Sequence, residues 1–260
     1  MFVTLFMLNS ITMSEKKVVL ITGANTGLGL EIVKSLCRSA TSYNIIVGSR
    51  TFSKGEAAIE EVKKQYPSTS STLCTIEVDL ASDDSLKKCV DTVSAQHGRL
   101  DILVNNGGAG YDRQIESGAM SIREGWNASW DTNVSGTQVL TTFAAPLLLK
   151  SSDPRLVFMT SGTSTLTETE SQANDMMKRL NFSPPKGWPK DATMNPLPSY
   201  RSSKTGLNMM MREWTRILKN DGVKVWCISP GFLATGLAGI GSDNLKKVRF
   251  HRARVCFSAC

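Results

Sequence analysis

The sequence predicts a doubly wound α/β domain, a parallel sheet with helices on both faces. Three observations carry this expectation. Short β-branched runs of continuous apolar character alternate with longer helical patterns, as strands buried on both faces require. A glycine-rich turn joins the first strand to the first helix. Polar motifs follow the later strands, and doubly wound sheets bind their ligands at the carboxyl ends of strands.

Each element follows in order. Val18, Val19, Leu20 and Ile21 form the first strand, and residues 28–37 a helix with Leu28, Ile32, Val33 and Leu36 on one face. Ile45, Ile46 and Val47 form the second strand. Residues 55–66 are helical, closed by Pro67, and residues 73–78 form the third strand. Ser82 is an N-cap for a helix over 83–96. Ile102, Leu103 and Val104 form the fourth strand, and one long helix covers 122–149. The fifth strand spans 156–159, a helix 200–219, and the sixth strand 223–228. The stretch 163–198 holds Pro184, Pro185, Pro189, Pro196 and Pro198 and breaks the rhythm, with a short helix near 171–180. A long insertion at the ligand edge of a sheet is expected to be functional.

A length of 260 residues suits one large domain, and 41% hydrophobic with 20% charged residues excludes a disordered chain and a polytopic membrane protein. The net charge is +7, but Lys246, Lys247, Arg249, Arg252 and Arg254 crowd the last fifteen residues. The remainder is nearly balanced, so no nucleic-acid partner is expected. The six cysteines form no CxxC pair and there are two histidines, so no metal site is expected and a reducing, cytoplasmic setting fits. The apolar start, Met1 to Leu8, is too short to span a membrane, and Met13 looks like a natural start. The expected organisation is an extension over 1–13, one domain over 14–240 and an atypical basic tail over 241–260.

The turn Thr22-Gly23-Ala24-Asn25-Thr26-Gly27-Leu28-Gly29 sits between strand and helix, the context of a dinucleotide site. Its glycines let the backbone approach a pyrophosphate, and the helix N-terminus offers N–H groups and a positive dipole. The second strand ends in Gly48-Ser49-Arg50-Thr51 rather than in an acidic residue. An arginine there pairs with a 2′-phosphate, which points to NADP(H). Tyr200 and Lys204 stand four apart on one helix face. The ammonium is expected to lower the phenol's pKa and fit it for proton transfer.

With Asp79, Asn105-Asn106-Gly107-Gly108, Asn133, Ser161 and Pro230-Gly231 with Thr235 in this order, the chain resembles the short-chain dehydrogenase/reductase family from about residue 17 to 236. Within it, the first turn, Arg50 and the insertion before the tyrosine are most similar to the NADPH-dependent carbonyl reductases. The resemblance implies a Rossmann-type single domain and assigns roles. Tyr200 is the general acid, Lys204 its partner and a ligand of the nicotinamide ribose, and Ser161 holds the substrate oxygen. Asn133 positions a relay water. Gly23, Asn25, Thr26, Gly27, Leu28 and Gly29 hold the pyrophosphate. Asp79 and Leu80 contact adenine, while Asn105, Asn106 and Gly107 line the adenosine ribose. Pro230, Gly231 and Leu233 bind the cofactor, and Thr235 contacts the nicotinamide amide.

The family's usual N-N-A-G reads Asn105-Asn106-Gly107-Gly108 here, a small-for-small change. After Thr235 no strand-like run is evident, so the sheet is expected to lack its last edge strand. The implied function is NADPH-dependent reduction of a ketone or aldehyde, with a small-molecule carbonyl substrate and a monomeric enzyme. The same residues admit an alcohol dehydrogenase working in the oxidising direction. A non-catalytic or defective cofactor-binding protein on the same fold is the other alternative.

Overall fold

A computed structural model describes residues 16–190, 197–231 and 254–256. Strands β1 (Lys17–Ile21), β2 (Tyr43–Ser49), β3 (Thr72–Glu77), β4 (Ile102–Asn105), β5 (Arg155–Met159), β6 (Lys224–Ser229) and β7 (Arg254–Cys256) form one sheet in the order β3-β2-β1-β4-β5-β6-β7. The first six are mutually parallel, and β7 pairs antiparallel with β6. The strand order reverses beside β1, which pairs with both β2 and β4. That switch point opens the crevice at the carboxyl ends of the strands where doubly wound sheets take ligands.

Alternate residues of each strand feed two cores. Leu20, Ile46, Leu103, Leu156 and Phe158 face α3 (Asp83–His97), α6 (Gly136–Leu148) and α8 (Pro198–Ile217), meeting Leu86, Leu140 and Leu207. Val19, Ile21, Ile45, Val47 and Val104 face α1 (Gly27–Cys37) and α2 (Phe52–Gln65), meeting Val33, Ile59 and Val62. Burying both faces explains why the strands read as unbroken apolar runs. Ser82 caps α3, accepting the Ser85 N–H at 3.3 Å.

Three expectations are corrected. Helix α2 begins at Phe52 rather than Gly55. Gly55 lies inside it because the helix packs flush on Thr75, leaving no room for a Cβ. The single helix over 122–149 is instead α5 (Ile122–Trp130), a π-helical turn over Asp131–Ser135 and α6. The wider turn lets Asn133 side-chain groups leave the helix and bond Ala109. The outer edge of β6 is not bare: Arg254–Cys256 pairs with residues 227–229. An open edge presents unpaired N–H and C=O groups, and three residues of extended chain suffice to take them up. Two short helices complete the described chain, α4 (Asp112–Glu116), which sequence periodicity did not reveal, and α7 (Asp175–Leu180). No helix among the described residues is long and apolar enough to cross a membrane.

Candidate active site

The glycine turn follows β1 and is built around Thr22, whose hydroxyl accepts the Asn106 N–H at 3.0 Å and the Gly107 N–H at 2.8 Å. Asn106 Nδ2 donates to the Thr22 carbonyl at 2.8 Å. The first turn and the loop after β4 are thereby one unit. Gly23 (φ 61°) and Gly27 (φ 54°) occupy the left-handed region, where glycine carries no steric cost. Gly29 is packed tighter: a Cβ there would meet the Gly23 carbonyl and lie 2.6 Å from Asn106 Nδ2. Helix α1 starts after Thr26 with no side-chain cap and no acidic residue in its first turn. Its leading N–H groups and dipole therefore suit an anion. These features fit a dinucleotide pyrophosphate along Gly23, Asn25, Thr26, Gly27, Leu28 and Gly29.

Arg50 stands exposed just past β2. Ser49 beside it is buried, its hydroxyl donating to the Thr51 carbonyl at 2.9 Å. Asp79 follows β3, and its Oδ1 accepts the Ala81 N–H at 3.1 Å, which fixes a turn. Leu80 is buried next to it and would meet any Cβ on Gly107 at 2.9 Å. Asn105 is buried at the end of β4, donating to Thr141 Oγ1 at 3.0 Å, while its own Oδ1 has no partner among the described residues. Pro230 and Gly231 close β6, the latter at φ 81°. Leu233 and Thr235 lie outside the described residues.

Four polar residues converge at the ends of β4 and β5. Asn133 is fully buried. Its Oδ1 accepts the Ala109 N–H at 2.9 Å, and its Nδ2 donates to the Ala109 carbonyl at 2.7 Å and to Ser203 Oγ at 2.9 Å. It ties the loop after β4 to α8. Ser161 follows β5, its hydroxyl 2.9 Å from Thr163 Oγ1. Tyr200 sits in the first turn of α8, and Lys204 one turn on. Lys204 Nζ donates to the Met159 carbonyl at 2.9 Å and lies 5.9 Å from the Tyr200 ring centre.

Sequence reasoning expected Lys204 to bring the phenol's pKa down. In this structure burial pushes the Tyr200 phenol up to about 12, with the Ser161 hydrogen bond pulling in the other direction. Lys204 is bonded to a main-chain oxygen rather than to the phenol. Its own pKa falls to about 8, because burial disfavours the ammonium. Tyr200 is therefore a protonated donor at neutral pH.

Motif reading missed Asp112, Ser129, Ser199 and Arg201. Asp112 accepts the main-chain N–H groups of Ser199 and Tyr200. The hydroxyls of Ser129 and Ser199 share a hydrogen bond of 3.0 Å across the α5–α8 contact. Arg201 donates to the carbonyls of Thr163 and Leu180 and to Asn181 Oδ1, tying the insertion to α8. Thr163, Leu166, Phe182, Pro198, Arg201 and Thr205 are among the residues lining a groove of about 410 Å³ between the insertion and that helix. Among the described residues, no cluster of histidine, cysteine and acidic side chains could hold a metal.

Comparison with known proteins places this arrangement. The short chain dehydrogenase family profile matches residues 17–173. The chain is 50% identical over 225 residues to the short-chain dehydrogenase/reductase eupG of Phoma sp, covering 85% of this chain and 79% of that one. It is 42% identical over 225 residues to tropE of Talaromyces stipitatus, covering 86% and 81%. A metagenomic short-chain oxidoreductase in complex with NADP shares the fold, with a TM-score of 0.63 at 22% identity over 84% of this chain and 83% of that one. The L-sorbose reductase of Gluconobacter frateurii, complexed with NADPH and L-sorbose, aligns with a TM-score of 0.65 at 21% identity, covering 85% and 71%. The chain belongs to the short-chain dehydrogenase/reductase family, oxidoreductases that work with a nicotinamide cofactor.

Proposed function

We propose that this chain is an NADPH-dependent reductase of a ketone or aldehyde, of the carbonyl-reductase kind. The observation that carries the reading is the Tyr200 phenol, held protonated and hydrogen-bonded by Ser161 at the carboxyl end of the sheet. Such a group is a general acid aimed where a carbonyl oxygen gains charge. When bound, the nicotinamide supplies the hydride. Ser161 would hold the substrate oxygen, and Tyr200 would hand its proton to that oxygen as the alkoxide forms. Lys204, at a pKa near 8, is poised to return a proton toward the phenol or to bond the nicotinamide ribose. Asn133 serves this reading by fixing Ala109 and Ser203 around the site rather than by presenting a free amide.

The choice of NADPH rests on Arg50, exposed at the end of β2 beside the small Ser49. The alternative, oxidation of an alcohol, calls for a phenolate base, and a phenol near 12 disfavours that at neutral pH. A binding module would not need Ser161, Tyr200 and Lys204 together. Phe182, Trp188 and Leu166 stand exposed on the insertion and favour an apolar carbonyl substrate. A monomer acting on a small molecule, without nucleic acid or membrane, completes the proposal.

Purified protein should oxidise NADPH in the presence of a panel of ketones and aldehydes, and Tyr200→Phe should lower kcat at least about a thousandfold. Full turnover by Tyr200→Phe would refute the mechanism. Arg50→Asp should move the preference toward NADH; an unchanged ratio would remove Arg50 from the cofactor assignment.

A further inference from the structure

We propose that Asp112 is a positioning residue for Tyr200, setting the first turn of the catalytic helix from a distant part of the chain. The inference rests on the reductase reading for its activity readout only. Its basis is a complete account of the first amides of α8. Pro198 takes the first helical position and has no N–H. The Ser199 N–H donates to Asp112 Oδ1 at 2.8 Å, and the Tyr200 N–H donates to Asp112 Oδ2 at 3.1 Å. The Arg201 N–H closes the first intrahelical bond, to the Leu197 carbonyl at 2.9 Å. Leu197 holds the cap position and offers no acceptor side chain. The helix is therefore capped by a carboxylate from α4, and by both of its oxygens.

Several features connect this cap to the phenol. Asp112 is 6% exposed, so its charge acts where screening is weak. It ends the strip that leaves the cofactor loop, and that strip lies flat on the site. A Cβ on Gly108 would come 2.8 Å from Asn133 Oδ1 and 3.1 Å from Lys204 Nζ, and one on Gly110 would come 3.3 Å from Tyr200 Cδ2. The Ser129–Ser199 bond pins the same turn from α5. Two bonds to consecutive amides fix how the first turn is rotated, and the direction of the Tyr200 side chain follows its main chain. The carboxylate also opposes the positive end of the helix dipole. By holding this turn in place Asp112 keeps the Tyr200 phenol in the buried setting that raises its pKa, so loosening the turn lets solvent reach the phenol and brings that pKa down.

Asp112→Asn keeps the shape but turns a donor toward one of the two amides, and Asp112→Ala removes both acceptors. Four readouts apply to the full-length variants. Amide hydrogen exchange at Ser199 and Tyr200 should quicken at least about tenfold, with Leu207 to Met211 unchanged. NADPH affinity, by fluorescence titration, should stay within about twofold. With the carbonyl that the wild type reduces best, kcat should fall about 10- to 100-fold while KM moves less than about threefold. The alkaline limb of its pH profile should move down by roughly half to one pH unit.

Faster exchange with kcat and the alkaline limb unchanged would overturn the proposal, leaving Asp112 a helix cap only. Loss of NADPH affinity in step with kcat would overturn it too, as general disruption. Where Asp112→Ala fails to fold, Asp112→Asn decides. If the wild type reduces no carbonyl, the reductase reading falls and the Tyr200 ring resonance in carbon-labelled protein, assigned with Tyr200→Phe, decides. A shift in Asp112→Asn supports the positioning role, and an unmoved resonance overturns it.

Discussion

Lys204 Nζ donates to the carbonyl oxygen of Met159, the last residue of β5, so the family's lysine is anchored to the sheet through a main-chain bond of 2.9 Å. The side chain is 3% exposed and faces no carboxylate at hydrogen-bond distance among the described residues, and its pKa falls to about 8. An unfolded lysine titrates near 10.5. Between these values the unfolded chain holds a proton that the folded one has released, so stability rises with pH across that window. The contribution is complete above the unfolded value and is lost as the pH falls to about 8. Below that, the fold carries a buried cation. Lys204→Met should flatten the alkaline rise of Tm and raise Tm at neutral pH, less the roughly 1 kcal/mol lost at the Met159 carbonyl. An unaltered slope of Tm against pH would refute this account.

Gly29 should be intolerant of any side chain. An alanine Cβ would stand 2.6 Å from Asn106 Nδ2 and 2.8 Å from Ala24 Cα, besides meeting the Gly23 carbonyl. Two of those three neighbours are backbone, which cannot swing aside. Gly29→Ala should cost roughly 2 kcal/mol or more in urea unfolding and break the Asn106–Thr22 link. NADPH binding should weaken at least about tenfold, because the turn and the loop after β4 move together. Gly98→Ala gives the contrast. Its left-handed φ of 69° is strained for alanine, but among the described residues a Cβ there would meet nothing within 4 Å beyond its chain neighbours, so stability alone should suffer.

How much of this was readable from residues follows from the range of the interactions. The strands, the glycine turn, the Ser82 cap and the helix bearing Tyr200 and Lys204 are local patterns, and all of them form. The π-helical turn at Asn133 was not legible, because it exists to meet Ala109 across 24 residues of sequence. Asp112 was invisible for the same reason: its partners lie 87 and 88 residues away and are main-chain amides, which leave no mark on side-chain patterns. The direction of the Tyr200 pKa was misread because spacing gives proximity to Lys204 but not desolvation. The short edge strand β7 escaped notice because pairing with an open edge asks little of a sequence.

The opposite end of the sheet is held by Asp153. Its carboxylate receives Lys17 at 2.5 Å, Lys224 at 2.6 Å and Arg155 at 2.7 Å, joining β1, β5 and β6. Hydrogen bonds from these cations hold its pKa well below the usual carboxylate range. A carboxylate with a depressed folded pKa stabilises fully above its unfolded value near 3.8 and loses that contribution as pH falls toward the folded one. The site is partly exposed, so solvent screening limits the effect to about 1 kcal/mol. Asp153→Asn should lower Tm by about 2–4 °C at pH 7, and the difference from wild type should shrink below pH 4. It should leave cofactor affinity unchanged, because the site lies at the amino ends of the strands. A deficit that persists at low pH would show that packing, not charge, accounts for it.

Arg201, next to Tyr200, should control the insertion. Its Nε donates to the Thr163 carbonyl at 2.8 Å, Nη1 to the Leu180 carbonyl at 3.0 Å and Nη2 to Asn181 Oδ1 at 2.9 Å. Asn181 in turn donates to the carbonyls of Glu168 and Ser171 at 2.8 and 2.9 Å. One planar fork thus joins the start of the insertion, the end of α7 and α8. A lysine has a single point of donation and cannot span three acceptors in different directions. Arg201→Lys should therefore behave like Arg201→Ala rather than like the wild type. Both should speed limited proteolysis within 163–190 several-fold and raise KM for apolar carbonyls, while NADPH affinity holds, since the glycine turn and Arg50 are untouched. The decisive comparison is between the two variants: proteolysis of Arg201→Lys at the wild-type rate would mean that positive charge, not the fork, holds the insertion in place.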